Sequence, residues 1–468
     1  MSKRLIIVLA LVFVVGLCAT TYAAVQNVKV SGDIDMKGVV RNSIALQDNP
    51  TGVSATTTGY GESISAILST VRLRVDADLT DNVSTTVRLL NERAWGEESA
   101  ASTDIDLDLA YVTLKEFLYS PMTLTLGRQE LRFGNGLIIG DPDTNGIAAG
   151  HGVAAVALPD SLDDLSSRKA FDAARVTLNY DPLTVDLIYS KIDEGLVQQA
   201  DDIDLWGVNT NYVVNKNIDT ELYYFARKRD RFADAGADMP RSETIHTIGT
   251  RGVYTGIKNL TLGLEGAMQV GNHVVDTTLY PDDLVVATGP WSRRVQAYAI
   301  QAIANYVFPK AKYSPSVIAT YTRLSGDKYQ SRSDNYRGWN PMFEDQAGGT
   351  LYNKILGYSN AELFALSGTM KPMGDVTAAL AYSYIKLVYS YPADATAVHL
   401  SGVAGDPHFA MRDGKKSLGH EVDLKLTYDY TEDVQFALNT GAFIPGEAFD
   451  SKNKKTASQV IGSMKVTF

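Results

Sequence analysis

ILSTVRLRVDADLTDNVSTTVRLLNER, running from Ile67 to Arg93, is written in period two. Val71, Leu73, Val75, Ala77 and Leu79 fall on one face, and Thr70, Arg72, Arg74, Asp76 and Asp78 on the other. Side chains alternate sides along a strand, so this is a strand with one apolar and one charged face. Thr80-Asp81-Asn82 reads as a tight turn, after which Val83, Thr85, Val87 and Leu89 continue the apolar face with Arg88 opposite. A soluble sheet also alternates, so one hairpin decides little. The repetition of such hairpins along the whole chain decides more.

The chain has 468 residues, with 25 tyrosines and 38 glycines, and no linker-like or charge-block segment divides it. Lys3 and Arg4 precede an apolar run, Leu5 to Leu17, that is short for a membrane helix, and Thr-Tyr-Ala-Ala follows with small residues. This predicts a signal peptide over residues 1–24 and a barrel over 25–468. The single cysteine, Cys18, falls in that leader, so the mature chain is expected to have no disulfide, thiol nucleophile or cysteine metal site. Without the leader, 41 basic residues face 54 acidic ones, a net charge of −13 that argues against nucleic-acid binding.

About eighteen strands are expected, each near the 9–11 residues that a tilted strand needs to cross a bilayer. After Val28–Ser43 and the opening hairpin come Ile105–Lys115, Met122–Phe133, Ala170–Tyr180 and Leu183–Ile192. In Ile105–Lys115 the alternation places Ile105, Leu107, Leu109 and Tyr111 outward and Asp106 and Asp108 inward. The pattern continues through paired segments to Ala457–Phe468. Short turns such as Thr80–Asn82, Asp181–Pro182 and Thr431–Asp433 alternate with long loops such as Gly134–Lys169 and Gly326–Ile355. The expected fold is all-β: a transmembrane, antiparallel, up-and-down β-barrel with short periplasmic turns and long extracellular loops. Tyr180, Tyr212, Tyr306, Tyr428 and Tyr430 beside short turns suit a membrane-interface girdle.

Two segments go beyond a generic barrel. One is Leu126-Gly127-Arg128-Gln129-Glu130-Leu131-Arg132-Phe133-Gly134, with Phe171-Asp172-Ala173-Ala174-Arg175 downstream. The other is Gly419-His420-Glu421-Val422-Asp423-Leu424, followed by Phe443-Ile444-Pro445-Gly446. Together they resemble the scattered motifs of the alginate export family of outer-membrane channels. The resemblance implies a passive eighteen-stranded channel in the outer membrane of a Gram-negative-type bacterium. Its charged lumen would pass anionic polysaccharide or small charged solutes, without catalytic residues, metal or cofactor. The inward or motif-matching positions expected to line that path are Arg72, Arg74, Arg88, Arg128, Glu130, Arg132, Arg175, Glu421, Asp423 and Lys425. Guanidinium suits carboxylate recognition because it is planar, forked and always charged. The same charges also fit a ladder of cross-strand pairs, and the inward acids are at least as numerous as the bases.

Strict alternation from Met122 would put Arg128, Glu130 and Arg132 on lipid. A β-bulge at Gly127 is therefore expected to turn them inward and Leu131 and Phe133 outward. Gly134–Lys169 is expected to fold over or into the mouth. The six histidines show no metal-ligand spacing, and Asp141–Gly146 lacks the closing glutamate of a calcium loop. His151 with Asp160, Ser161 and Asp163 is the only raw material for a barrel hydrolase. A general porin for small nutrients and an adhesive surface barrel fit the same strand pattern. Expected partners are outer-membrane lipid and lipopolysaccharide, the barrel-assembly machinery through the terminal Phe468, and the transported anionic sugar or small solute. The chain is expected to act as a monomer. It should fractionate with outer membrane and change mobility on gels after boiling; recovery of all mature protein in the soluble periplasm would contradict the barrel.

Overall fold

The computed structural model describes residues 26–47, 63–96, 105–142, 158, 162–193, 202–230, 242–275, 291–328, 335–346, 350–392, 400 and 409–468. The expected leader lies outside them. The strands are β1 (Asn27–Asn42), β2 (Ser63–Thr80), β3 (Val83–Ala94), β4 (Asp106–Leu114), β5 (Met122–Glu130) and β6 (Ala170–Asn179). Next come β7 (Leu183–Asp193), β8 (Ile203–Asn215), β9 (Ile218–Arg229), β10 (Glu243–Ile257), β11 (Leu260–Val275) and β12 (Trp291–Val307). The last are β13 (Ser316–Leu324), β14 (Asn335–Tyr336), β15 (Ala361–Met373), β16 (Val376–Leu387), β17 (Ser417–Asp429), β18 (Val434–Pro445) and β19 (Ala457–Thr467).

Each strand pairs antiparallel with the next, and β19 returns to β1 from Asp33↔Thr467 to Asn42↔Ser458. The sheet is thus closed. Only β14 breaks the meander: it is two residues long and lies parallel to β12, while β13 pairs directly with β15. The wall therefore has eighteen strands, as the alternation predicts. Closure satisfies every edge, which hydrocarbon requires because nothing there can bond an unpaired N–H or C=O. The terminal Phe468 seals the seam, its backbone N–H and C=O exchanging hydrogen bonds of 3.0 and 2.8 Å with Gly32.

The outer face carries the apolar stripe: Val71, Leu73, Val87, Leu187, Leu222, Leu264, Met268 and Leu366 are all exposed. Tyr180, Tyr212, Tyr306, Tyr428 and Tyr430 are exposed beside the short turns, as expected of a girdle. The packed core lies inside the barrel at the long-loop end. There the inward faces of β6 to β13 and β15 to β19 meet residues of two loops, among them Leu137, Ile139, Trp339, Met342, Phe343, Leu351 and Tyr352.

The structure corrects the alternation at two places. The β3–β4 register slips between Arg88 and Leu89, with Asp108 as the extra residue. Asp108 and Leu109 are therefore both buried, and Tyr111 shares a face with inward Thr86 instead of facing lipid. At Gly127 the expected bulge is absent. Both ladders run through it unbroken, from Leu114↔Leu124 to Ala110↔Arg128 and from Met122↔Leu178 to Glu130↔Ala170. Glycine is still required there, because φ is +118° and a Cβ would collide with the Ala110 carbonyl oxygen. Leu131 and Phe133 lie inside, in the core, not on lipid.

Gly127→Val should therefore sharply lower the yield of heat-modifiable folded barrel. Gly462→Ala should not, since nothing lies within 4 Å of a Cβ there and no left-handed φ is involved. Equal yields of the two variants would contradict this account of Gly127.

Candidate functional site

The lumen wall on β1 to β7 carries arginines, each beside a carboxylate. Arg72 on β2 donates from Nε to Asp33 on β1 at 3.0 and 3.1 Å. Arg74 donates from Nε and Nη2 to Asp76 at 2.8 and 2.9 Å, and Thr86 donates to the same carboxylate at 2.7 Å. Arg74 and Arg88 stand directly opposite each other across β2 and β3. Like charges so placed repel, so acids must flank them. Asp76 does so for Arg74; Asp108 and, at 2.5 Å, Glu130 do so for Arg88. Arg175 donates to Asp186 at 2.8 Å and lies over the Phe133 ring. Lys425 on β17 shares the inward face with Glu421 and Asp423 and is solvent-exposed. The alternation did not single out Arg41 or Arg251. Arg41 is buried, with a two-pronged pair to Asp164 at 2.6 and 2.7 Å, and Arg251 meets Glu221 at 2.6 Å.

Two loops fill part of the lumen, and the first also docks on this wall, where Arg41 holds Asp164, Glu92 holds Ser166 and Ser167, and Asp106 holds Arg168. The first follows β5, and its described parts run to residue 142, include residue 158, and continue from 162 to 169. The second runs from β14 to β15 and includes a single helical turn, Tyr352–Ile355. They are joined by a bridge between Ile139 and Phe343, by Phe343 N–H to Ile138 C=O at 3.0 Å, and by Gly140 N–H to Phe343 C=O at 2.7 Å. Charges tie them further: Arg132 and Lys169 both pair with Asp345, and Lys354 reaches Asp163 at 2.7 Å. Burial raises the Tyr352 hydroxyl above the ordinary tyrosine range, so the second loop's core stays uncharged there.

A loop turned inward carries backbone N–H groups with no strand partner, and leaving them buried and unbonded is costly. Four strand glutamates accept them, among them Glu92 on β3, which takes Ser167 N–H at 2.7 Å. Glu421 takes the N–H groups of Thr350, Leu351 and Tyr352 at 2.6, 3.0 and 2.7 Å. Glu221 takes Gly134 N–H at 3.0 Å, and Glu265 takes Asn135 N–H at 3.3 Å. Asp423 supports Glu421 by accepting from the Thr350 hydroxyl at 2.7 Å. The two motif segments are thus largely loop-docking devices: Gly134-Asn135-Gly136 is the docked turn, and Glu421 and Asp423 are docking carboxylates.

The remaining residues expected on the path divide. Arg72, Arg74, Arg88, Arg175 and Lys425 face the lumen, Glu130 closes on Arg88, and Arg132 anchors Asp345 at the root of the first loop. Arg128 does not line the lumen. It pairs with Asp172 at 3.1 Å, on the face opposite buried Phe171 and Ala173. Register continues this outward row as Arg128↔Asp172↔Lys191↔Asp204↔Lys228, with alternating sign across five strands. Such opposite-charge neighbours stabilise one another and mark a polar belt at the long-loop end. Of the hydrolase material, His151, Asp160 and Ser161 lie outside the described residues, and Asp163 is bound to Lys354.

Glu421→Ala removes the acceptor of three loop N–H groups while leaving the barrel ladder intact. Single-channel conductance should rise and become noisier, with heat-modifiable folding retained. An unchanged conductance would mean that the second loop holds its place without this carboxylate.

Comparison with solved structures places the architecture. OpdQ of Pseudomonas aeruginosa aligns with a TM-score of 0.54 at 12% identity, covering 95% of this chain and 98% of that one. OccK2 (OpdF) of the same organism, solved in complex with glucuronate, gives 0.51 at 11% identity, covering 95% and 99%. Its outer membrane protein OprD gives 0.51 at 10%, covering 95% and 96%. At such identities the likeness shows the fold alone. No curated protein matches the sequence. The family model for alginate export matches residues 52–463, nearly the whole chain, and the protein belongs to that family of outer-membrane channels.

Proposed function

We propose that this protein is a passive, monomeric outer-membrane channel for small anionic solutes, with carboxylated sugars as the substrate class. The observation that carries the reading is the arginine wall facing a lumen narrowed by docked loops. Arg72 and Arg74 bond their aspartates through Nε and Nη2. Guanidinium has five N–H donors, more than one aspartate can take up, so each can still meet a passing carboxylate, with Tyr111 also beside Arg74. Their side chains retain 21% and 36% exposure, in contrast to 1% for Arg41, which is wholly engaged by Asp164 and Gln459.

The docked loops favour a small solute over a polymer. A chain of sugars needs a continuous clear path, and the packed core of the two loops occupies part of it. The carboxylates beside the arginines temper the field, so selectivity should be modest rather than strict. The glucuronate bound in the OccK2 complex and the family's anionic cargo agree with the substrate class. Direction follows the gradient. Phe468, at the seam of β19 and β1, suits recognition by the barrel-assembly machinery.

Liposome swelling with glucuronate and glucose tests the proposal. The wild-type channel should favour glucuronate, and Arg72→Ser/Arg74→Ser/Arg88→Ser should erase that preference, lowering glucuronate entry by up to about tenfold, the low end of charge-focusing effects. Equal entry of both sugars through the wild type would favour a general diffusion porin.

A further inference from the structure

The outer face at the long-loop end is not electrically uniform. On β5 to β9 the cations Arg128, Lys191 and Lys228 meet Asp172, Asp202, Asp204 and Asp230, at 3.1 Å for Arg128–Asp172, 3.4 and 3.1 Å for Lys191, and 2.6 Å for Lys228–Asp230. Four acids meet three bases there, so each cation is balanced and no positive surplus remains. On β13 to β16 the balance reverses. Arg323 and Lys386 stand on either side of Glu362 in register, and both pair with its carboxylate. That carboxylate is 8% exposed, whereas Arg323 and Lys386 keep 33% and 36%. The shared anion is covered and the cations project. Lys416, exposed just beyond, donates to the Val388 carbonyl at 2.5 Å and lies near the Tyr389 ring. Two cations therefore flank one buried carboxylate, and Lys416 comes just before Ser417, the register partner of Lys386.

Arg323, Glu362 and Lys386 point outward. Leu324, Leu363, Ile385 and Leu387, their neighbours in sequence, are buried inside. Below the cations, on the same outer face, lies an aromatic surface. The Tyr321 and Phe364 rings are 4.8 Å apart, Tyr384 and His420 are 4.9 Å apart, and the exposed Tyr298 hydroxyl accepts from Arg323 Nε at 3.1 Å. Rings of this kind seat at the boundary between acyl chains and headgroups, with their polar tips in the wet layer.

We propose that this face binds the phosphate of an outer-leaflet lipid: Arg323, Lys386 and Lys416 take the phosphate, while Tyr321, Phe364 and Tyr384 cover the first part of its acyl chains. Charge complementarity identifies the occupant. A net cationic patch on the membrane-facing surface of an acidic protein, set directly above an aromatic belt, matches a phosphorylated lipid headgroup in charge and in depth. The balanced row on β5 to β9 lacks this surplus. The proposal rests on the long loops facing outward from a bacterial outer membrane.

The test uses full-length barrel purified in detergent, titrated with bisphosphoryl lipid A and with the same lipid stripped of both phosphates, and read by native mass spectrometry. The variant Arg323→Gln/Glu362→Gln/Lys386→Gln/Lys416→Gln removes the patch without stranding a buried carboxylate. Lys191→Gln/Lys228→Gln is the matched control on the balanced row. The wild type and the control should bind the phosphorylated lipid at least about tenfold more tightly than the patch variant does, and should prefer it to the stripped lipid. Equal binding by patch variant and wild type, or equal binding of both lipids, would overturn the proposal. Heat-modifiable mobility confirms that each variant is folded, and membrane fractionation of the same cells tests the location separately. Absence from the outer membrane would overturn the location and the proposal together, whereas an outer-membrane protein indifferent to lipid phosphate would overturn only the proposal.

Discussion

A backbone amide in hydrocarbon has nothing to bond except another amide, and this governs the structure twice. In the wall it forces closure: β19 must return to β1, because any open edge would leave a row of unpaired groups in lipid. In the lumen it governs the loops. Segments folded inward lose their water and must find acceptors, and Glu421, Glu221 and Glu265 supply them from the wall. One requirement thus yields a closed pore and then a narrowed one.

The narrowing gives the charges their function. An eighteen-strand lumen is wide, and isolated charges on its wall would act weakly across water. With two loops packed against β6 to β19, and the first also docked on β1, β3 and β4, the lumen is narrowed while Arg72 and Arg74 stay part-exposed, and the proposed path runs beside them. A solute must then pass within reach of guanidinium donors that their aspartates leave unused. The aspartates also resolve the repulsion between Arg74 and Arg88, which stand face to face. Stability of the wall and recognition of the cargo therefore draw on the same ion pairs.

Much of the fold was legible because the wall obeys a two-residue code that leaves little freedom. Strand number, short and long connections and the tyrosine girdle follow from it. Register slips were not legible: the extra residue at Asp108 turns Leu109 and Tyr111 inward, and nothing in their alternation announces it. Arg128 was misplaced for the opposite reason. The bulge is expected in order to keep Arg128, Glu130 and Arg132 out of lipid, but Arg128 has Asp172 beside it and belongs to a row of alternating charges. Cross-strand partners far apart in sequence hide such rows. The second loop is recognised as a loop, but its inward folding is not, although a signal exists. Trp339, Met342, Phe343, Leu351, Tyr352, Ile355 and Leu356 are too apolar for a loop in water, and that density marks a segment that folds inside.

The central claim is a narrowed lumen with an arginine-lined path. It is tested most directly by the reversal potential of the wild-type channel in a planar bilayer across a KCl gradient, recorded together with the step conductance. The structure predicts small steps, well below those of an unobstructed barrel of this size, and a reversal potential of modest anion-selective sign. Large steps with no selectivity, or a clear cation-selective sign, would contradict it.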